Sequence, residues 1–353
     1  MDLDGDGKQD LISGSWPGEL FFFKGKGKGD FEAPVKLKDR DGKTINIGGG
    51  KRVEASDGML LVAGDAKFET KDGKQFIVYE GEWIPVPEGG NAGITGTASA
   101  VHAHDFDGDG DFDLLVGDIR GGVYLVPNEG SRTDWSFGKE QQLKAGGQNL
   151  TVNGGDAGPF VADWDGDQKA DLLVGAGDGS VMFYRNTAGG KGTELAAGRA
   201  LLPPVGDLYT NMPAEPVRGM RSKVCAADWN GDGRLDLLVG DITYQKPKRP
   251  DPTPEQKAEE DRIREELKPV EERYRDLSQR FFGQRGKKDV PADEREKVQK
   301  EFGEVSQQMW KLREKLPPEY ENHGWVWLFL RKGDVGTARA DTPEGNAQPA
   351  AAK

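Results

Sequence analysis

The chain is short of the residues from which redox and nucleophilic sites are usually built. Its 353 residues include one cysteine, Cys225, and three histidines. A lone cysteine closes no internal disulfide, so cysteine usage leaves the redox compartment open, and Cys225 reads as a small buried apolar residue. Positive charge is also in deficit: 61 acidic against 48 basic residues leave a formal charge of −13. A surface for nucleic acid needs clustered Lys and Arg to displace counterions from phosphates, so that partner class is excluded. No stretch approaches the roughly 20 apolar residues of a membrane-spanning helix. Nucleophile elbows, phosphate loops and dinucleotide fingerprints are missing too, because the Gly-rich turns lack the strand-to-helix context that those motifs require.

What the chain has in quantity is glycine, 51 residues, together with short apolar runs. Both suit short strands joined by tight turns, and a repeat fold of this length can form a single domain. The stretch "DFDGDGDFDLLVG" from Asp105 sets acidic residues at alternate positions ahead of an apolar run. It recurs as "DLDGDGKQDLISG" from Asp2, "DWDGDQKADLLVG" from Asp163 and "DWNGDGRLDLLVG" from Asp228. A second β-like run follows each copy: "ELFFFK" from Glu19, "GVYLVPN" from Gly122, "SVMFYRN" from Ser180 and, much later, "WVWLFLRK" from Trp325. Three of the loops are also preceded by an apolar run, "SAVHAH" from Ser99, "GPFVA" from Gly158 and "KVCAA" from Lys223. A fourth strand is visible where "LKDRDGKTINIGG" from Leu37 parallels "LKAGGQNLTVNGG" from Leu143. Four antiparallel strands, repeated at spacings of 58 residues (Asp105 to Asp163) and 65 residues (Asp163 to Asp228), describe the blades of a β-propeller.

Closely spaced carboxylates repel unless a cation sits among them. Hard oxygen donors without His or Cys favour Ca²⁺, and alternating Asp with flexible Gly lets a short loop curl its carboxylates inward. The opening "DxDGDG" is shared with EF-hands, whose loop closes on a bidentate Glu at position 12 and is flanked by helices. Here position 12 holds Ser13, Val116, Val174 and Val239. The closing carboxylate is instead at position 9, on Asp10, Asp113, Asp171 and Asp236, directly entering a strand. EF-hand and dockerin readings are therefore rejected.

The pattern D-x-D-x-D-G-x-x-D-L-x-x-G resembles the FG-GAP or VCBS repeat, the calcium-loop blade of integrin α-subunit propellers and many secreted bacterial proteins, over about two-thirds of the chain. The resemblance implies up to four Ca²⁺ ions, bound by side chains at positions 1, 3, 5 and 9 and by the carbonyl at position 7. In the first loop these are Asp2, Asp4, Asp6, the Lys8 carbonyl and Asp10. In the second they are Asp105, Asp107, Asp109, the Asp111 carbonyl and Asp113. The third has Asp163, Asp165, Asp167, the Lys169 carbonyl and Asp171, and the fourth Asp228, Asn230, Asp232, the Arg234 carbonyl and Asp236. Gln168 replaces the position-6 glycine and Asn230 removes one charge, so the third and fourth sites are expected to bind more weakly.

Two segments break the repeat within the propeller, which is expected over 1–336. Residues 50–97 carry β-like runs, "MLLVAG", "QFIVYEG" and "EWIPV", and read either as a degenerate fifth blade without a calcium loop or as a β insertion. Residues 250–320 carry two apolar stripes at heptad steps, Ile263, Leu267, Val270, Tyr274, Leu277 and Phe281, then Val298, Phe302, Val305, Met309, Leu312 and Leu316. They read as an antiparallel helical hairpin inserted in the last blade, its seams satisfying each other or docking another protein. The tail, 337–353, has the composition of a disordered end. Only Met1 precedes the first loop, so the innermost strand of that blade, together with an export signal, is expected outside this chain, in a longer extracytoplasmic protein.

His102 and His104 alternate in a predicted inner strand and share one face, which reads as packing or channel lining. Two function classes follow. The resemblance favours a calcium-stabilised binding or scaffold module for a protein or glycan, without a membrane span. The alternative is a carbohydrate-active enzyme, a lyase or hydrolase, at the channel mouth, with Trp16, Arg120, Asp178 and Tyr244 in corresponding turns as contacts.

Overall fold

A computed structural model describes residues 1–47, 52–54, 60–63, 66–79, 81–86, 92–95, 97–189, 192–283, 291–332 and 348–349. The described residues are mostly β, with two helices. Each acidic loop leads into a strand of a small antiparallel sheet, an edge strand in the first sheet and an interior one in the other three. Sheet one joins Leu11–Gly14, Leu20–Phe23 and Val35–Lys36, and sheet two joins Ala100–His104, Asp113–Gly117, Val123–Val126 and Gln141–Gln142. Sheet three joins Gly158–Ala162, Asp171–Gly175, Val181–Tyr184 and Arg199–Leu202. Sheet four joins Met220–Ala227, Asp236–Gln245, Glu321–Phe329 and Gln348–Pro349. The Leu37 and Leu143 segments lie at the outer edges, where the Leu37 and Leu143 amides donate to the carbonyls of Leu20 and Val123.

The central strands read D-L-L-V-G rather than alternating because both of their faces are buried. Leu114 and Val116 enter a core shared with Leu20, Phe22 and Ile47 of sheet one, while Leu115 enters one shared with Leu172 and Val174 of sheet three. Leu173, in turn, meets Leu237 and Val239 of sheet four. The terminal glycine of the motif has a matching reason. A Cβ on Gly14, Gly117 or Gly175 would lie 2.1–2.2 Å from the carbonyl oxygen of Ser99, Ala157 or Ser222, the residues that lead into the next sheet. Gly240 occupies the same place in sheet four, and the nearest atom to its Cβ would be the Lys223 carbonyl oxygen at 3.9 Å. The succession of described sheets therefore does not close on itself. This also corrects the expectation of a buried Cys225: it pairs with Leu238 on the open side of sheet four and is exposed.

Within 52–95, Lys67–Lys71, Lys74–Tyr79 and Glu82–Pro85 form a meander. Leu60–Ala63 pairs antiparallel with Arg52–Glu54 and parallel with Ala92–Thr95. These strands bury a small core of their own, Val62, Ile77, Tyr79 and Ile84, and sheet one packs on sheet two past them through Gly14 and Ser99. Helices α1 (Pro254–Gly283) and α2 (Ala292–Arg313) lie between the second and third strands of sheet four. Thr253 caps α1 with a reciprocal pair of bonds. The Gln256 amide donates to Thr253 Oγ1 at 3.3 Å, the Thr253 amide donates to Gln256 Oε1 at 2.9 Å, and Pro254 fills the first helical position, where no N–H is required. The two stripes close on each other, burying Ile263, Leu267, Val270, Leu277, Val305, Met309 and Leu312. Of the 337–353 tail, all but Gln348–Pro349 lies outside the described residues.

Candidate metal centres

The four loops share one set of hydrogen bonds. The position-1 carboxylate folds back over the turn: Asp105 accepts from the Gly108 and Gly110 amides at 2.9 and 3.1 Å, and Asp163 from Gly166 and Gln168 at 2.8 and 3.0 Å. Position 3 accepts from the amide of position 5, and position 5 from that of position 7, at 2.9–3.2 Å in all four loops. This tight curl sets positions 4 and 6 at positive φ, which glycine adopts freely. Gln168 is held there at φ 67°, so the substitution noted in the sequence does place a side chain in the left-handed region.

Position 9 has a structural task that the motif alone does not reveal. One oxygen of Asp10, Asp113, Asp171 or Asp236 accepts the position-2 amide of Leu3, Phe106, Trp164 or Trp229 at 2.8–3.2 Å. The other accepts the amide of Gly25, Asn128, Asn186 or Arg331, just past the following strand, at 2.7–2.9 Å. Each buried carboxylate thus ties the start of its loop to the neighbouring strand. Because a carboxylate offers about four lone-pair sites, coordination capacity remains. Burial pushes the Asp113 and Asp171 carboxyls up to about 6, against the opposing effect of the Asn128 and Asn186 amides.

Three loops bring side-chain oxygens within 4.8 Å of one another: Asp2, Asp4 and Asp6; Asp105, Asp107 and Asp109; and Asp163, Asp165 and Asp171. The other predicted ligands lie along the same loops. The donor set, all oxygen with a flexible curl, fits a hard dication. In the second loop Asp111 is only 7% exposed, and its Oδ1 has no hydrogen-bond partner among the described residues. Burial and then the neighbouring Asp109, Asp107 and Asp105 push its carboxyl up to about 6.

Basic side chains enter the other loops. Lys24 contacts Asp4 and lies 3.0 Å from Asp6, while Lys8 lies 3.4 Å from Asp6. Arg185 lies 2.6 Å from Asp165 and 2.9 Å from Asp167, and Lys169 4.0 Å from Asp167. Arg234 pairs with Asp232 at 2.7 Å.

The remaining sequence candidates are scattered. His102 packs against Phe160 of the next sheet with the rings tilted (centroids 4.4 Å) and stacks with His104 at 6.1 Å; burial and then the His104 charge lower its pKa to about 4. It is a packing residue. Trp16 is 64% exposed in a turn, and Asp178 accepts the Ser180 amide within its turn. Tyr244 lies inside a long strand rather than in a turn. Its hydroxyl accepts from Tyr209 at 2.7 Å and its ring lies 5.2 Å from Tyr320. Tyr209 and Tyr320 were missed because their turn and loop context carries no pattern.

The model of the FG-GAP-like repeat family matches residues 105–174 and 163–239. Residues 105–239 carry FG-GAP-like repeats. The overlapping matches take in the second, third and fourth loops; the first FG-GAP-type loop, Asp2 to Asp10, lies outside them with the same hydrogen bonds. No curated protein matches the sequence significantly. Among solved structures, the chain is similar to an Agrocybe aegerita lectin described as recognising non-reducing terminal N-acetylglucosamine, at 19% identity, over 68% of this chain and 61% of the lectin chain, with a TM-score of 0.30. It is also similar to BBS1N from a complex with ARL6DN soaked with lead, at 14% identity, over 69% of this chain and 75% of that one, with a TM-score of 0.21. The chain spans less than two-thirds of the lectin chain.

Proposed function

We propose that this chain is a calcium-stabilised module of β-propeller type that binds a glycan as part of an extracytoplasmic protein. The observation that supports calcium is the fourfold recurrence of one loop geometry, with side-chain oxygens gathered within 4.8 Å of one another in three of the loops and a buried, unpartnered Asp111 oxygen in the second. A dication there would join positions 1 to 5 to the position-9 carboxylate that already ties the loop to its sheet. The array is then a rigid support for loops, and binding is a role that varied surface residues on such a support can fill. The glycan reading draws on the exposed aromatic rings of Trp16, Tyr209 and Tyr320, which present an apolar face with a polar rim.

An ion bound only by the folded state stabilises it by about 2.7 kcal/mol at a hundred times its Kd. Thermal unfolding in excess chelator should therefore shift to lower temperature, with Mg²⁺ a poor substitute because it keeps its water and demands a tighter octahedron. An unchanged curve overturns the calcium reading. A glycan array probed with the full chain in millimolar Ca²⁺ should give binding that Trp16→Ala or Tyr209→Ala weakens. A blank array would direct the search to protein ligands.

A further inference from the structure

The residue that precedes Ser99, Ala157 and Ser222 is left-handed in each case: Ala98 at φ 47°, Asp156 at φ 52° and Arg221 at φ 57°. Their amides donate to the carbonyls of Trp16, Ile119 and Gly177, each two residues past a motif glycine. The turn therefore belongs to the repeat, whereas the side chains set on it do not. A left-handed arginine is strained, and this one is held by its equivalent in the sheet before: Arg221 Nε donates to Asp156 Oδ2 at 2.5 Å. Lys223 Nζ adds bonds to the Asp156 carbonyl oxygen at 2.7 Å and to Oδ1 at 3.1 Å. Asp156 is buried, so one carboxylate serves two cations and leaves a positive charge in excess, in a chain whose formal charge is −13. The Arg221 side chain is 54% exposed, and among the described residues its Nη1 and Nη2 make no hydrogen bond.

The tyrosine cluster stands beside this cation. Strand Asp236–Gln245 runs on past Gly240, where the other three sheets make a tight turn, and carries Tyr244 on the extension. The Tyr209 and Tyr244 rings lie 4.3 Å apart at 33°, a platform two rings wide, and Tyr320 stands at 87° to Tyr244 as a wall, 5.2 Å away. Tyr209 and Tyr320 are exposed. The Tyr209 hydroxyl donates to that of Tyr244, which leaves the Tyr244 O–H as a donor for a ligand. Tyr244 also lies within electrostatic reach of Arg221.

On the glycan reading above, we propose that the corner between Arg221 and the Tyr209–Tyr244 pair is the sugar site and that its ligand is a uronate-bearing glycan. The carboxylate takes the two outward nitrogens of the Arg221 guanidinium, a planar fork that matches it in shape and charge. A pyranose ring rests its apolar face on the tyrosines and meets the Tyr244 hydroxyl at its polar edge. Asp156 is a positioning residue, because its grip on Nε fixes where the fork points.

Calorimetric titration of the full chain, in millimolar Ca²⁺, with a glucuronate-terminated oligosaccharide and with its methyl ester tests this, because the ester keeps the rings and removes the charge. The acid is expected to bind roughly tenfold tighter than the ester, the scale of one charge-assisted pair. Arg221→Gln should bring the acid down to the level of the ester, and Arg221→Lys, which keeps the charge without the fork, should restore only part of the difference. Tyr209→Ala, at an exposed ring, should weaken acid and ester alike. Equal affinity for acid and ester, a preference for neutral glycans, or an acid preference that survives Arg221→Gln would overturn this site and ligand while leaving the glycan reading in place. Binding of neither these nor any glycan of the array would overturn the glycan reading itself.

Discussion

The sheet array and the helical hairpin solve the same problem, covering apolar side chains, in opposite ways. A central strand such as Asp113–Gly117 is buried on both faces, so no single sheet can hide its own core, and each depends on the sheets before and after it. The hairpin has one apolar stripe per helix, and α1 and α2 close on each other without help. Stability in the array is therefore shared between neighbours, while in the hairpin it is local. Damage at a sheet junction should spread, and damage in the hairpin should stay where it is made.

The strongest break in this contrast is at the junction glycines. Gly175→Ala places a methyl 2.2 Å from the Ser222 carbonyl oxygen, so sheets three and four must part. It should cost about 3 kcal/mol or more and lower the transition of the whole array. Gly240→Ala meets nothing nearer than 3.9 Å and should stay within about 0.5 kcal/mol of the parent. Urea unfolding followed by tryptophan fluorescence compares the two; equal losses would mean that the junction is not what selects glycine.

Leu277→Ala tests the other side of the comparison. Leu277 is 1% exposed in the hairpin seam, and its truncation should destabilise the hairpin by about 3 kcal/mol. The helical signal in circular dichroism should melt earlier while the fluorescence transition of the array holds its midpoint. A joint shift would show that the two regions unfold as one.

Acid should act on the array through His102. Its pKa falls from 6.5 in the unfolded chain to about 4 when folded, chiefly because burial disfavours the charged ring. The folded state then binds fewer protons between these values. Stability from this group is full above about pH 6.5 and is lost as pH falls through 4, amounting to about 2 kcal/mol by about pH 5. His102→Phe keeps a ring against Phe160 and should flatten that limb of the stability profile. The hairpin carries no histidine and should not share the effect.

The smallest expected change is within a loop. Gln168→Gly relieves a left-handed side chain at φ 67°, offset in part by the greater freedom of glycine in the unfolded chain, and should raise stability by about 0.5 kcal/mol. A loss would show that the Gln168 side chain makes a contact of its own.

Much of this architecture was legible in the sequence because the features are local. The acidic loops, the strands on either side of them and the two heptad stripes are each written within a dozen residues or so, and the structure places strands and helices there. The strain at Gln168 was legible for the same reason. The rest depends on contacts between distant residues. Asp236 takes its second amide from Arg331, and the junction glycines are selected by carbonyls in the next repeat. The Lys24 and Arg185 ion pairs need the strand register before they can be seen, and no periodicity exposes the Tyr209, Tyr244 and Tyr320 cluster. Cys225 was misread because the short apolar run around it looks buried, although among the described residues no further sheet covers the face that it occupies.

The hairpin also bears on how quickly sheet four can form. Strands Asp236–Gln245 and Glu321–Phe329 pair along their whole length, from Leu237↔Phe329 to Gln245↔Glu321, yet residues 246–320 separate them in the chain. A disordered connection of that length would make their encounter a slow search, because loop closure precedes any reward from pairing. Helices form in about a microsecond, well before long-range strands meet. Once α1 and α2 have collapsed on each other, the antiparallel hairpin returns the chain close to its starting point, and a distant pairing becomes kinetically equivalent to a tight turn.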